Sequence, residues 1–163
     1  MRTHKNQNSY QRILDYLAPI LFEPLHIKRI ESIATAVYGV ITAGSIGIST
    51  IGKALGLCRG LNPKHAMKQV DRMLSNPGID LDVIFPALVP HLVGIRKEIV
   101  VALDWTDFSK DGQATLALHL VTKGGRTSAL LWKTVLKSEL KDNQNNIEDE
   151  LISKLKDFLP DDV

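Results

Sequence analysis

The chain has 163 residues, enough for one domain or for a small domain with part of another. Its 44% hydrophobic and 23% charged content is ordinary for a globular protein and argues against global disorder, and its one cysteine, Cys58, excludes an internal disulfide and a multi-cysteine zinc site. The net charge of +2 hides an asymmetry: residues 1–76 hold 10 Lys/Arg against 4 Asp/Glu, and residues 77–163 hold 10 against 14. A basic front half suits a polyanion such as DNA. The acidic back half suits either a metal-using site or a solvated surface.

No apolar run approaches the roughly 20 residues that span a bilayer, so no membrane partner is expected. The polar start, Met1 to Asn8, precedes no apolar signal core. A reducing, cytoplasmic setting fits the cysteine usage.

The first helix is expected from about Ser9, as N-cap, to Leu17, with Pro19 and Pro24 stopping it. A second should cover about Leu25 to Thr42, because Ile30, Ile33, Val37 and Ile41 form one apolar stripe. Ser49 to Gly56 reads as a short helix closed by a glycine cap. Asn62-Pro63 opens the next, with Asn as N-cap and Pro at the first helical position, and Ser75-Asn76-Pro77-Gly78 closes it. In that helix Met67, Val70 and Leu74 face one way. Lys64, Lys68 and Arg72 fall four apart in a column on the other side, with His65 and Gln69 beside it. Two short helices joined by a Gly-containing turn, the second with a basic column, suit a helix-turn-helix-like DNA contact. The plain alternative is a solvated face, with His65 a surface residue rather than a metal ligand. Asp80 or Asp82 should cap a further helix from Val83 to Leu92, which Pro90 bends or ends. Gly94 to Glu98 reads as a linker, which sets the expected domains at 1–95 and 96–163.

The period then changes. Ile99 to Leu103 is an apolar run that ends on Asp104, and it reads as a strand buried on both faces. A carboxylate there costs free energy unless it is paired or binds a cation. Chemistry also gathers beyond strand carboxyl ends in open α/β sheets. Asp104 is therefore the leading functional residue, and the alternative is that it caps a turn. Ser109 to Gly112 is a turn cluster, and Gln113 to Thr122 a second strand with Leu116, Leu118 and Leu120 on one face. His119, on the other face, reads as a hydrogen-bonded core or edge histidine. Gly124-Gly125 signals a two-residue hairpin into a third strand, Arg126 to Val135. Trp105 and Trp132 read as packing residues. A last helix follows, with Ile147, Leu151, Leu155, Phe158 and Leu159 on one side, ended by Pro160.

Three antiparallel strands, then a helix, with Asp on the first strand, is the opening of a ribonuclease-H-like fold. The words Ile51-Gly-Lys-Ala-Leu-Gly, Lys64-His-Ala-Met-Lys-Gln-Val-Asp-Arg-Met-Leu-Ser-Asn, Val101-Ala-Leu-Asp-Trp-Thr-Asp-Phe and Gly112-Gln-Ala-Thr-Leu-Ala-Leu-His-Leu-Val-Thr are more specific. Together they resemble bacterial insertion-sequence transposases of the DDE class, from about residue 10 to the end. The resemblance implies an α+β chain: an all-helical DNA-binding region, then an incomplete ribonuclease-H-like α/β domain of three antiparallel strands and a helix. Asp104-Trp105-Thr106 matches the family's Asp-x-Thr motif, so Asp104 matches the first catalytic carboxylate and metal ligand. Asp107 and Asp111 match no role.

The resemblance implies Mg²⁺ as cofactor, transposon terminal inverted repeats as partner, and a bacterial, nucleoid-associated setting. Two Mg²⁺ ions about 3.5–4 Å apart would hold the attacking and leaving oxygens of an in-line displacement. The family's second Asp and its Glu lie on later elements, so the chain is expected to be a truncated front portion in which Asp104 alone binds Mg²⁺ weakly and cleaves nothing. Its first strand would be an exposed apolar edge that could pair two copies into a homodimer. The alternatives are a non-catalytic DNA-binding fragment that inhibits transposition, and an inert product of a decayed element.

Overall fold

A computed structural model describes the backbone of residues 2–163 and the side chains of residues 8–163. Among the described residues there are seven helices and one three-stranded antiparallel sheet, helices first. The order is α1 (Arg2–Leu21), α2 (Ile27–Ala43), α3 (Ile48–Arg59), α4 (Pro63–Leu74), α5 (Leu81–Val93), β1 (Val101–Phe108), β2 (Gln113–Val121), β3 (Thr127–Leu136), α6 (Lys137–Leu140) and α7 (Gln144–Phe158). The chain forms two compact units, Met1–Ile84 and Phe85–Val163. The division falls inside α5, whose Phe85, Val89 and Val93 belong to the core that holds the sheet.

In the first unit, Tyr38, Ile51, Leu55, Ala66 and Val70 make one buried cluster. Glycines set how closely its helices approach. A Cβ on Gly39 would lie 2.6 Å from Ile51 Cγ2, and one on Gly52 would lie 2.8 Å from the backbone of Met67. Gly56 is buried and meets Leu61 and Pro63 in the same way. It therefore does not end the helix as expected. α3 runs on to Arg59, and Gly60, at φ 65°, is the left-handed cap that donates its N–H to Gly56 O. A buried glycine under a following turn and a capping glycine look alike in a short window of sequence.

α1 also departs from expectation. It starts before Ser9 and passes through Pro19, so Ser9 is not its N-cap. Pro19 sits in the last turn, where the lost backbone hydrogen bond is a local cost rather than a break. α5 likewise contains Pro86 and Pro90, and its start is held by Asp80 Oδ1, which accepts from Asp82 N at 2.9 Å.

In the second unit the sheet order is β1-β2-β3. Leu116, Leu118 and Leu120 of β2 point to the face covered by α7, through Ile147, Leu151 and Leu155. Each fully buried leucine of this kind contributes about 1.5–3 kcal/mol. On the opposite face the Phe85 ring meets Trp132 edge-to-face at 4.9 Å. A bulge beside Leu118/His119 leaves Leu130 without a register partner, and the consecutive Leu130 and Leu131 are both fully buried.

The sheet departs from the sequence pattern in two places. The Asp104 strand is not buried on both faces. It is an edge strand, with Val101 and Trp105 half-buried and the other six residues exposed. An apolar run reports strand propensity, and the number of neighbours decides its burial. The hairpin loop is also longer than the Gly-Gly signal implied. Thr122 N donates to Arg126 O at 2.8 Å, which leaves three loop residues, Lys123, Gly124 and Gly125. Both glycines have positive φ, 90° and 73°.

Candidate nucleic-acid interface

The turn between α3 and α4 is Gly60-Leu61-Asn62. Gly60 reverses the chain in the left-handed region, and Asn62 Oδ1 accepts from Lys64 N at 2.9 Å. Pro63 follows at the first helical position, as the sequence predicts. The preceding connection, between α2 and α3, turns the chain through 94°.

α4 is strongly two-sided. Ala66 and Val70 are buried, and Lys64, His65, Lys68, Gln69 and Arg72 are all exposed. His65, Lys68, Gln69 and Arg72 together line a surface cleft of about 330 Å³, and Lys64 lies one turn before Lys68 in the same column. Among the described residues, Lys64, Lys68 and Arg72 have no carboxylate within ion-pair distance. The five residues expected from the sequence to contact DNA therefore share one surface, and among the described residues no carboxylate pairs with its cations.

A second concavity, about 390 Å³, adjoins the first. Tyr10, Lys28, Glu31, Arg59, Gln69 and Arg72 are among its lining residues, so Gln69 and Arg72 border both. Arg59 lies over the Tyr10 ring, 5.9 Å from its centroid. Lys28 is bonded to Glu31 at 2.9 Å, and this hydrogen bond and charge raise the lysine pKa. Sequence reasoning missed Tyr10 and Arg59. They come from separate helices, and no local spacing joins them.

Asp104 sits apart from these residues in the sequence and on the other unit. It is exposed on β1 and faces Ala117 across the strand pair, with Ala102 and Thr106 on either side and His119 diagonal to it. His119 itself is half-buried. Asp107 points to the opposite face. It bonds Lys137 Nζ at 2.5 Å and accepts from Ser109 Oγ at 2.7 Å, and these bonds hold its carboxyl below the usual aspartate range. Asp111 borders a shallow depression with Thr106, Phe108 and Trp132, to which Asp104 does not contribute.

Among the described residues no three His, Cys, Asp or Glu side chains converge as metal ligands. Magnesium needs near-octahedral oxygen ligation. Asp104 with Ala102, Thr106, Ala117 and His119 does not fit a two-ion site on its own.

Among the described residues, no single helix is long and apolar enough to cross a membrane. Comparison with protein-family models, with curated proteins and with solved structures finds no match to this chain.

Proposed function

We propose that the helical unit binds duplex DNA through the exposed face of α4, in a protein of the DDE-transposase type. One observation carries the reading: Lys64, Lys68 and Arg72 form an exposed column without carboxylate partners among the described residues, with His65 and Gln69 beside it, on a helix held from behind by Ala66 and Val70. Cations arranged along an exposed helix can neutralise successive phosphates, while a glutamine or histidine beside them can reach base edges. The natural DNA partner on this reading is a transposon end, within a bacterial nucleoid.

The second unit is read as the opening of a ribonuclease-H-like domain. Its support is the meander β1-β2-β3 followed by α7, with Asp104-Trp105-Thr106 on the first strand. On this reading Asp104 is a first Mg²⁺ ligand. In-line phosphoryl transfer needs several converging carboxylates. Among the described residues no three such side chains converge, so on this reading the described part of the chain supplies the DNA-binding step.

The test is duplex binding by fluorescence anisotropy between 50 and 200 mM salt. Affinity should fall steeply, with a slope of about −0.9 per phosphate neutralised. Substituting Lys64, Lys68 and Arg72 together by Ala should flatten that slope and weaken binding. Salt-independent binding, or a triple variant that binds as wild type does, would rule out the α4 assignment.

A further inference from the structure

The concavity beside the α4 face has a charge pattern that the α4 column does not explain. Its walls carry three cations, Lys28, Arg59 and Arg72, and one carboxylate, Glu31. Lys28 is neutralised by its bond to Glu31. Arg59 and Arg72 have no carboxylate within ion-pair distance among the described residues. The Tyr10 ring beneath Arg59 fixes the guanidinium on the wall without neutralising it. Gln69 adds a carboxamide, and like Arg72 it borders both this concavity and the α4 cleft.

Two guanidiniums and an amide, placed around an opening of about 390 Å³, offer planar N–H donors suited to phosphate oxygens. The opening shares Gln69 and Arg72 with the cleft of α4. A strand lying against α4 would thus bring its backbone to this groove.

We propose that the groove formed by α1, α2, α3 and α4 seats a backbone phosphate of the bound DNA, held by Arg59 and Arg72, with Glu31 limiting the site by occupying Lys28. This rests on the assignment of DNA binding to α4 and extends the interface to residues outside that helix. A phosphate contact positions the duplex without reading its sequence. Arg59 should therefore contribute equally to all duplexes.

The experiment compares wild type, Arg59→Ala, Arg59→Lys and Glu31→Gln on duplexes of different sequence, between 50 and 200 mM salt. Arg59→Ala should weaken binding to every duplex alike and make the salt slope shallower by about 0.9, the value for one phosphate contact. Arg59→Lys keeps the charge and should keep the slope. Glu31→Gln frees Lys28 and should tighten binding with a steeper slope. Because Arg59→Ala also removes the contact with Tyr10, circular dichroism checks its fold. If it unfolds, Glu31→Gln decides alone.

Wild-type slopes in both Arg59→Ala and Glu31→Gln overturn the groove assignment. So does a loss in Arg59→Ala that differs between sequences. If in the same experiment Lys64→Ala/Lys68→Ala weakens binding, only the groove fails and the α4 reading stands. If wild type binds no duplex, the α4 reading fails and the groove falls with it.

Discussion

The indole Nε1–H of Trp105 donates to Glu148 Oε1 at 2.7 Å and so ties the edge strand β1 to the first turns of α7. The same carboxylate accepts from Gln144 Nε2 at 3.0 Å. These two bonds, the Trp105 bond first, hold the Glu148 pKa below the ordinary glutamate range. The Lys137 and Ser109 bonds do the same for Asp107.

A pH dependence follows from the sign of those shifts. Each carboxyl is more acidic when folded, so in the interval between the two pKa values the unfolded chain binds more protons. The stabilisation is fully present above the unfolded value, roughly pH 4.3 for glutamate, and is lost as pH falls through the folded one. Trp105→Phe should return the Glu148 titration towards its ordinary range and shrink its part of the acid destabilisation. Carbon-13 NMR of the Glu148 carboxyl reads this directly. An unchanged titration midpoint in the variant would falsify the assigned cause.

Gly52→Ala should destabilise the helical unit although alanine is the better helix former. The propensity gain is about 1 kcal/mol. Against it, the new methyl would lie 2.8 Å from the backbone of Met67 on α4, a contact that neither helix can relieve by a rotamer change. Overpacking of this kind costs about 1–3 kcal/mol. Urea unfolding measures the net effect, and a variant as stable as wild type would show that α4 moves freely against α3.

Leu103 is 39% exposed and Val100 is 67% exposed, on or beside an edge strand. Such edges recruit further strands, and an inward-pointing lysine is a common protection against it. Wild type should self-associate as its concentration rises, and Leu103→Lys should reduce this. Sedimentation velocity over a tenfold concentration range distinguishes the cases. A wild type that stays monomeric throughout would remove the edge as a pairing surface.

What the sequence conveyed depended on range. Asn62-Pro63 writes a helix start into two adjacent residues, and the structure places the cap there. The column Lys64, Lys68, Arg72 is fixed by helical period alone, so its exposure was legible as soon as the helix was. Gly56 does not show its role in the sequence, because a glycine that lets the α3–α4 turn fold back onto the helix and a glycine that ends the helix have the same local pattern. The β1 run carried strand propensity but not the count of strands beside it. The Arg59–Tyr10 contact brings together two helices far apart in sequence, and no periodicity within either one encodes it.

The β2–β3 loop has a stereochemical consequence. Gly124 and Gly125 both lie at positive φ, and a Cβ on either would meet nothing within 4 Å. The obstacle to substitution there is handedness rather than space. An L-residue would be strained by about 1–2 kcal/mol at each position, whereas a D-alanine would fit the same backbone without strain and would also restrict the unfolded chain. A chemically ligated protein with mirror-image residues at this loop should fold with the same register and melt at a higher temperature than the glycine form.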